Sequence, residues 1–296
     1  MNCNRIIHWS VKRLVVVIFL SLLAFVSVSR AESRRALVIG IGQQKDSSWP
    51  VIHGDRDVAL VVDMLQANGF ADLTTLVNAS ATKEGIVNAF RQLASRCDAG
   101  DLVYVHFSGH GQWMTDIDGD EPDGWDESWI PYDAYKTYCA EDRGERHLCD
   151  DEIAVLLQDI RSRIGESGNL MVTVDACHSG DSTRGIKSGN DGIRGVYEKF
   201  VIPGKCGRGG VRHEENWLTL SACKDYQMNQ EHSSGYGKLT YTLYSLRESL
   251  ARLSNEDVVD MLDEFMQRKD VRGRYPQTPV MTGLVEKCRF SMAFDR

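Results

Sequence analysis

Short runs of apolar, often β-branched residues, each followed by a stretch with helical periodicity, recur along this 296-residue chain and limit what it can fold into. Residues 36–41 (ALVIGI), 73–77 (LTTLV), 101–107 (DLVYVHF), 169–175 (NLMVTVD) and 217–222 (WLTLSA) read as strands. Between them, 57–67 sets Val58, Val61, Val62 and Leu65 at helical spacing. Residues 81–96 do the same with Ile86, Phe90 and Leu93, behind a Ser80 or Thr82 cap. Further helices are predicted over 151–164, 240–252 and 256–268. Strands alternating with helices predict an α/β fold, with a mainly parallel sheet covered by helices on both faces. The length suits one large domain or two small ones, and no internal repeat is present.

The first residues depart from this pattern. Arg5, Lys12 and Arg13 precede an apolar run over 14–28, and Ser29-Arg30-Ala31 offers small residues around a cleavage point after Ala31. That layout predicts a signal peptide over 1–31 and an exported protein, periplasmic or secreted. The rival reading is a retained membrane anchor, although the run is shorter than the ~20 apolar residues a spanning helix needs. Elsewhere the mean hydropathy is negative, at −0.31 for the whole chain, which excludes a polytopic membrane protein. Removing 1–31 takes away four basic side chains (Arg5, Lys12, Arg13, Arg30) and no acidic one, moving the formal net charge from −8 to −12. Such a surface disfavours nucleic acid and suits cationic partners.

Seven cysteines then remain: Cys97, Cys139, Cys149, Cys177, Cys206, Cys223 and Cys288. An odd count leaves one thiol unpaired if the others form bridges; Cys139 and Cys149 close a short polar loop and are the favoured pair, the alternative being that all are reduced. With no CxxC pair, a zinc ribbon or thioredoxin-type site is disfavoured.

Two segments break the alternation. Residues 115–127 are rich in Gly and Asp, and 182–216 form a long loop rich in Gly and basic residues. The second divides the chain into a large part (35–181) and a small part (217–283), followed by a tail (284–296).

The chemistry gathers where strands end. The third strand runs into Ser108-Gly109-His110-Gly111, and the fourth into Asp175-Ala176-Cys177-His178-Ser179-Gly180. In an open parallel sheet, ligands bind beyond the carboxyl ends of the strands. Cys177 there is a candidate nucleophile and His110 its candidate base. His178 is an alternative base, but its side chain points away from its neighbour in an extended segment. Ser108 shares a face with His110, and Asp175 shares one with Cys177. A carboxylate beside the nucleophile repels acidic substrates and attracts Arg or Lys. Singly, each of these residues has a plain structural reading, such as a packed cysteine or a hydrogen-bonded aspartate.

HFSGHG (106–111) and DACHSG (175–180) closely resemble the histidine and cysteine boxes of caspase-like peptidases, metacaspases in particular. DGDEPDGWDESWIPYD (118–133) resembles the acidic loop after the histidine box, DDEI (150–153) the following helix start, and YGKLTYTLYSLRESL (236–250) a helix of the small C-terminal segment. The resemblance covers roughly 35–283 and implies a caspase-like three-layer sandwich. It also implies a cysteine endopeptidase in which His110 withdraws the Cys177 proton and later protonates the leaving amine. The amide groups of Cys177 and Gly111 would hold the oxyanion. Metacaspases cleave after Arg or Lys, and their pocket aspartate at the start of the first helix matches Asp57; three residues earlier, where relatives often carry cysteine, this chain has Gly54. A plain reading of Asp57 is a helix N-terminal residue favoured by the dipole.

The resemblance implies a Ca2+ site at Asp126, Asp150 and Asp151. The further ligand that relatives carry after the cysteine box falls on Arg184 here, with Asp181 the nearest carboxylate. The alternative is a solvated acidic loop with helix capping by Asp150 and Asp151. Arg184, Lys187, Arg194, Lys199, Lys205 and Arg208 offer self-processing positions within the linker, or simply solvated charge. Other readings of the chain are a catalytically silent binding or scaffold protein, a clostripain-like or legumain-like peptidase, and a hydrolase of small thioesters or amides. The intact His110 and Cys177 disfavour the first, and the DGDEPDG loop disfavours the second.

Overall fold

In the computed structural model, which describes residues 32–177, 192–204, 215–283 and 288–295, the expected alternation builds one six-stranded sheet. Its strands are β1 (Arg34–Gly40), β2 (Asp72–Val77), β3 (Leu102–Ser108), β7 (Asn169–Asp175), β8 (Leu218–Ser221) and β11 (Val280–Gly283), in the order β11-β8-β7-β3-β1-β2. All neighbours pair in parallel except β11, which closes the edge antiparallel to β8. The predicted leader, residues 178–191 (with His178, Asp181, Arg184 and Lys187) and residues 205–214 (with Lys205, Cys206 and Arg208) lie outside the described residues.

Alternation along each strand makes the three layers. Leu37 and Ile39 of β1, with Val103, Val105 and Phe107 of β3, face helices α2 (Lys83–Arg96) and α3 (Asp150–Ile164). Ala36 and Val38, with Tyr104, Met171 and Leu220, face α1 (Gly54–Ala67), α4 (Lys238–Leu246) and α5 (Asn255–Met266). The sheet is therefore apolar on both sides, as parallel sheets are. Thr82 is the cap of α2, its hydroxyl accepting from the Gly85 amide at 3.1 Å. Helix α1 starts three residues earlier than expected, at Gly54. That start lies so close to the sheet that a side chain on Gly54 would come within 2.6 Å of the Ile41 and Ser108 carbonyl oxygens.

Two small sheets were not foreseen. β4 (Gly111–Thr115), β5 (Trp125–Trp129) and β6 (Leu148–Cys149) form an antiparallel sheet beside the main one, so the Gly- and Asp-rich segment 115–127 supplies the hairpin connection 116–124 and the strand residues at its two ends. β9 (Glu231–His232) and β10 (Tyr236–Gly237) make a second hairpin, leading into α4. The Cys139–Cys149 bridge is a correction: both thiols are free, as are those of Cys97, Cys223 and Cys288. Asp142 organises the intervening loop instead, its carboxylate accepting from the amides of Tyr135 (2.8 Å) and Gly144 (2.9 Å). No helix among the described residues is long and apolar enough to cross a membrane.

Candidate active site

The register of the sheet brings the two reactive segments together. Ser108 and Asp175 are direct neighbours where β3 and β7 end. The chain then turns through Gly109 and His110 on one side and through Ala176 and Cys177 on the other. Gly111 passes against Cys177 so closely that any Cβ would run into the Cys177 carbonyl, which explains the glycine.

His110 is fully buried against Trp49, with ring centroids 5.2 Å apart. Its Nε2 lies 2.8 Å from the Pro50 carbonyl oxygen. A carbonyl can only accept, so Nε2 carries the proton and Nδ1 is the basic nitrogen. Nδ1 has no hydrogen-bond partner among the described residues. Burial lowers the imidazole pKa to about 4, which keeps the ring neutral. The Pro50 carbonyl is an orienting group that the sequence did not reveal.

Cys177 is 3% exposed, and its thiol and that of Cys223 lie 3.6 and 3.5 Å from the same Gln227 carbonyl oxygen. A hydrogen bond to Cys177, then burial, pushes the Cys223 thiol well above its ordinary range. Cys223 therefore stays protonated and can donate to the Cys177 sulfur, a second contribution that sequence reasoning missed.

Asp57, Ser108 and Asp175, all fully buried, come together around the guanidinium of Arg194 from the linker. Arg194 Nη1 lies 2.7 Å from Asp57 Oδ2 and also donates to Ser108 Oγ. It is 3.7 Å from Asp175 Oδ1. Nη2 donates to Glu231 Oε1 at 3.0 Å. Burial alone would strip the charge from this side chain, but the carboxylates of Asp57, Asp175 and Glu231 raise its pKa and keep it a cation. Burial, partly offset by Arg194 and reinforced by Asp175, pushes Asp57 up to about 6. Asp175 also has a structural duty: Oδ1 accepts from Asn229 at 2.7 Å, and Oδ2 from the Thr240 amide (2.8 Å) and hydroxyl (2.7 Å).

The backbone of Arg194 is held as firmly as its side chain. Its carbonyl oxygen accepts from the amides of both Cys177 (2.8 Å) and Gly111 (3.3 Å). Its own amide donates to the Asn229 carbonyl at 3.0 Å, and Gly192 accepts from the Glu231 amide at 2.7 Å. Residues 192–194 thus run as an added strand beside 229–231, through the antiparallel bridge Ile193–Gln230. Beyond the carbonyl, a Cβ on Gly195 would lie 2.6 Å from Cys177 Cβ and 3.2 Å from Sγ, so the Arg194–Gly195 peptide bond lies against the thiol.

Glu231 was missed because it stands in a two-residue strand with no periodicity. A signal existed nonetheless: the polar run 224–231 follows the carboxyl end of β8, the same rim that carries His110 and Cys177.

The acidic residues gather apart from this pocket. Ligand atoms of Asp126 (β5), Cys149 and Asp151 (α3) lie within 4.8 Å of one another; Asp150 is next to this group but not within it. Asp126 Oδ1 and Asp150 Oδ1 are buried without a partner among the described residues. Burial and then neighbouring carboxylates push Asp126 up to about 8, and Asp150 up to about 7. Buried orphan carboxylate oxygens, one on β5 and one at the start of α3, fit a hard, oxygen-seeking cation such as calcium; the Cys149 thiol does not suit one. Asp116, Asp118 and Asp120 form a second acidic group on the β4–β5 connection.

A parallel sheet with helices on both faces, and with a cysteine and a histidine at adjacent strand ends, defines the caspase-like class. The structure is similar to a Geobacter sulfurreducens protein (TM-score 0.60, 21% identity, 85% of this chain and 94% of that one) and to caspase-1 of Spodoptera frugiperda (TM-score 0.56, 13% identity, 86% and 88%). Residues 34–184 match the metacaspase, peptidase C14 domain, and the chain belongs to that family. Among curated relatives it is similar to metacaspase-1A of Aspergillus clavatus (28% identity over 57% of this chain and 42% of the relative) and to metacaspase-1 of Yarrowia lipolytica (26% over 68% and 49%). The match therefore spans less than half the length of these relatives.

Proposed function

We propose that this chain is a cysteine endopeptidase that cleaves after Arg or Lys and first cleaves itself after Arg194. One observation carries the reading: the linker lies across the site as a substrate would. Arg194 stands in for the residue on the acyl side of the cut bond, and its carbonyl oxygen stands in for the developing oxyanion, between the Cys177 and Gly111 amides. Its guanidinium fills an acidic pocket, and Gly195 takes the leaving-group side, against the thiol.

In the reaction, His110 Nδ1 takes the Cys177 proton as the sulfur attacks the carbonyl carbon. The C–N bond breaks, and the amine leaves with the proton returned by His110. Water then hydrolyses the thioester and restores the thiol. Pro50 holds the imidazole by Nε2 throughout, and hydrogen bonding from Cys223 favours the thiolate. In the uncut chain Arg194 also blocks other substrates.

We further propose that calcium binds at Asp126 and Asp151, with Asp150 beside them, and neutralises carboxylates that otherwise repel one another. The leader over 1–31 would export the enzyme, or tether it to a membrane if retained. The deciding experiment compares the full chain with Cys177→Ala on short peptides ending in Arg, with and without calcium. Wild type should cleave the peptide and itself, and Cys177→Ala should do neither while keeping its fold. Turnover by Cys177→Ala would remove the nucleophile assignment.

A further inference from the structure

The pocket holds a third carboxylate that its strand-end design does not require, and the way it is mounted bears on which basic residue is preferred. The guanidinium of Arg194 is divided between two groups of acceptors. Nη1 lies among Asp57, Ser108 and Asp175, at the ends of the sheet strands and the start of α1. Nη2 reaches Glu231 Oε1, on the β9–β10 hairpin, at 3.0 Å. The two groups lie on different elements, and only a forked cation touches both.

Glu231 is fixed independently of that cation. Its Oε1 accepts from the His53 backbone amide at 2.6 Å, and its Oε2 is 2.7 Å from His53 Nδ1. Its side chain is only 7% exposed. His53 therefore aims the carboxylate into the pocket without help from the cation it meets.

Resting on the proposed peptidase reading, we infer that Glu231 is the residue that makes this enzyme prefer arginine over lysine at the cleaved position. Lysine offers one compact ammonium on a flexible stem, whereas arginine presents a planar fork of donors. An ammonium that reaches Asp57 and Ser108 leaves Glu231 buried without its ligand; one that turns to Glu231 abandons Asp57. Sites built around a hydrogen bond discriminate strongly against an analogue that cannot make it, because their own polar groups go unpaired. His53 is a positioning residue here, acting through Glu231.

The test measures kcat/KM of the full-length enzyme on two peptides that differ only in Arg or Lys at the cleaved position. Wild type should favour Arg roughly ten-fold or more. Glu231→Gln should lower the Arg value by about that factor while the Lys value changes less than about three-fold, so that the preference collapses. Parallel loss on both peptides would mean a merely structural role and would overturn the inference; so would an unchanged preference. Should Glu231→Gln not fold, His53→Ala decides, because it removes the half-exposed ring that anchors Oε2 and leaves the carboxylate in place. A reduced Arg preference in His53→Ala supports the inference, and an intact one overturns it. Wild type that cleaves neither peptide would bring down the peptidase reading, and this inference with it; wild type that cleaves both with Glu231→Gln unaltered would bring down this inference alone.

Discussion

Replacing Arg194 by alanine should turn a slow-starting enzyme into one that is active from the first moment. The guanidinium makes charge-assisted bonds to Asp57 and Glu231 and a further one to Ser108, all inside a buried pocket. Hydrogen bonds to charged groups are worth about 1.5–3 kcal/mol each before mutual desolvation is deducted. When the linker leaves, the carboxylates and the guanidinium both regain water, so the net hold of the side chain is on the order of 3 kcal/mol. That corresponds to roughly a 100-fold difference in the fraction of molecules with an open pocket. The assay is the initial rate on a short fluorogenic peptide ending in Arg, read alongside the mass of the chain. Wild type should show a lag, its rate rising by about two orders of magnitude as the Arg194–Gly195 bond is cut. Arg194→Ala should show no lag and stay intact at that bond. The reasoning fails if Arg194→Ala starts no faster than wild type, since the main-chain bonds of 192–194 would then suffice to close the site.

Mass spectrometry of wild type should find new ends at Arg194 and Gly195, absent in Cys177→Ala; cuts only elsewhere in the linker would contradict the docking geometry. Asp57→Asn should reduce Arg turnover by at least ten-fold and leave a neutral citrulline analogue little changed, because it removes an anion that Nη1 touches at 2.7 Å. Asp57 has a pKa raised to about 6 by burial, so its charge is present above that pH and lost below it. The ratio of Arg to citrulline turnover should accordingly fall as pH drops through about 6, and a flat ratio from pH 5 to 8 would refute the pocket role. Calcium should raise the melting temperature by at least a few degrees (~3 °C or more) and chelator should reverse it. Asp126→Asn should be insensitive to both; a variant that still responds would exclude Asp126 as a ligand.

The main sheet was legible because each strand carries its own signal: Leu37, Val38 and Ile39 are apolar on both faces, and Val38 and Ile39 are β-branched. The candidate pair, His110 and Cys177, drew notice because strand ends in such sheets are where chemistry collects, and the motifs stand at two of them. What escaped depends on partners distant in sequence. β6 has only two residues and exists because Leu148 and Cys149 pair with β5. Pro50 orients His110 across 60 residues of sequence, and Glu231 is held by His53 across 178. The Cys139–Cys149 expectation failed because loop closure was judged by spacing alone, whereas the Asp142 carboxylate already satisfies that turn. Asp150 was expected with Asp126 and Asp151 at one cation, but its ligand atom falls outside the tight group.

Strands β8 and β11 lie beyond the linker in sequence yet complete the same sheet, and α4 and α5 beyond it share with α1 the covering of one face. Severing Arg194 from Gly195 would consequently free no fragment. The nicked molecule would be a heterodimer born from one gene product, migrating as two bands under denaturing conditions and as a single species in native sizing. Its halves would cohere through the β7–β8 ladder and the shared apolar interior, and its resistance to unfolding would then depend on dilution, as that of the uncut chain does not.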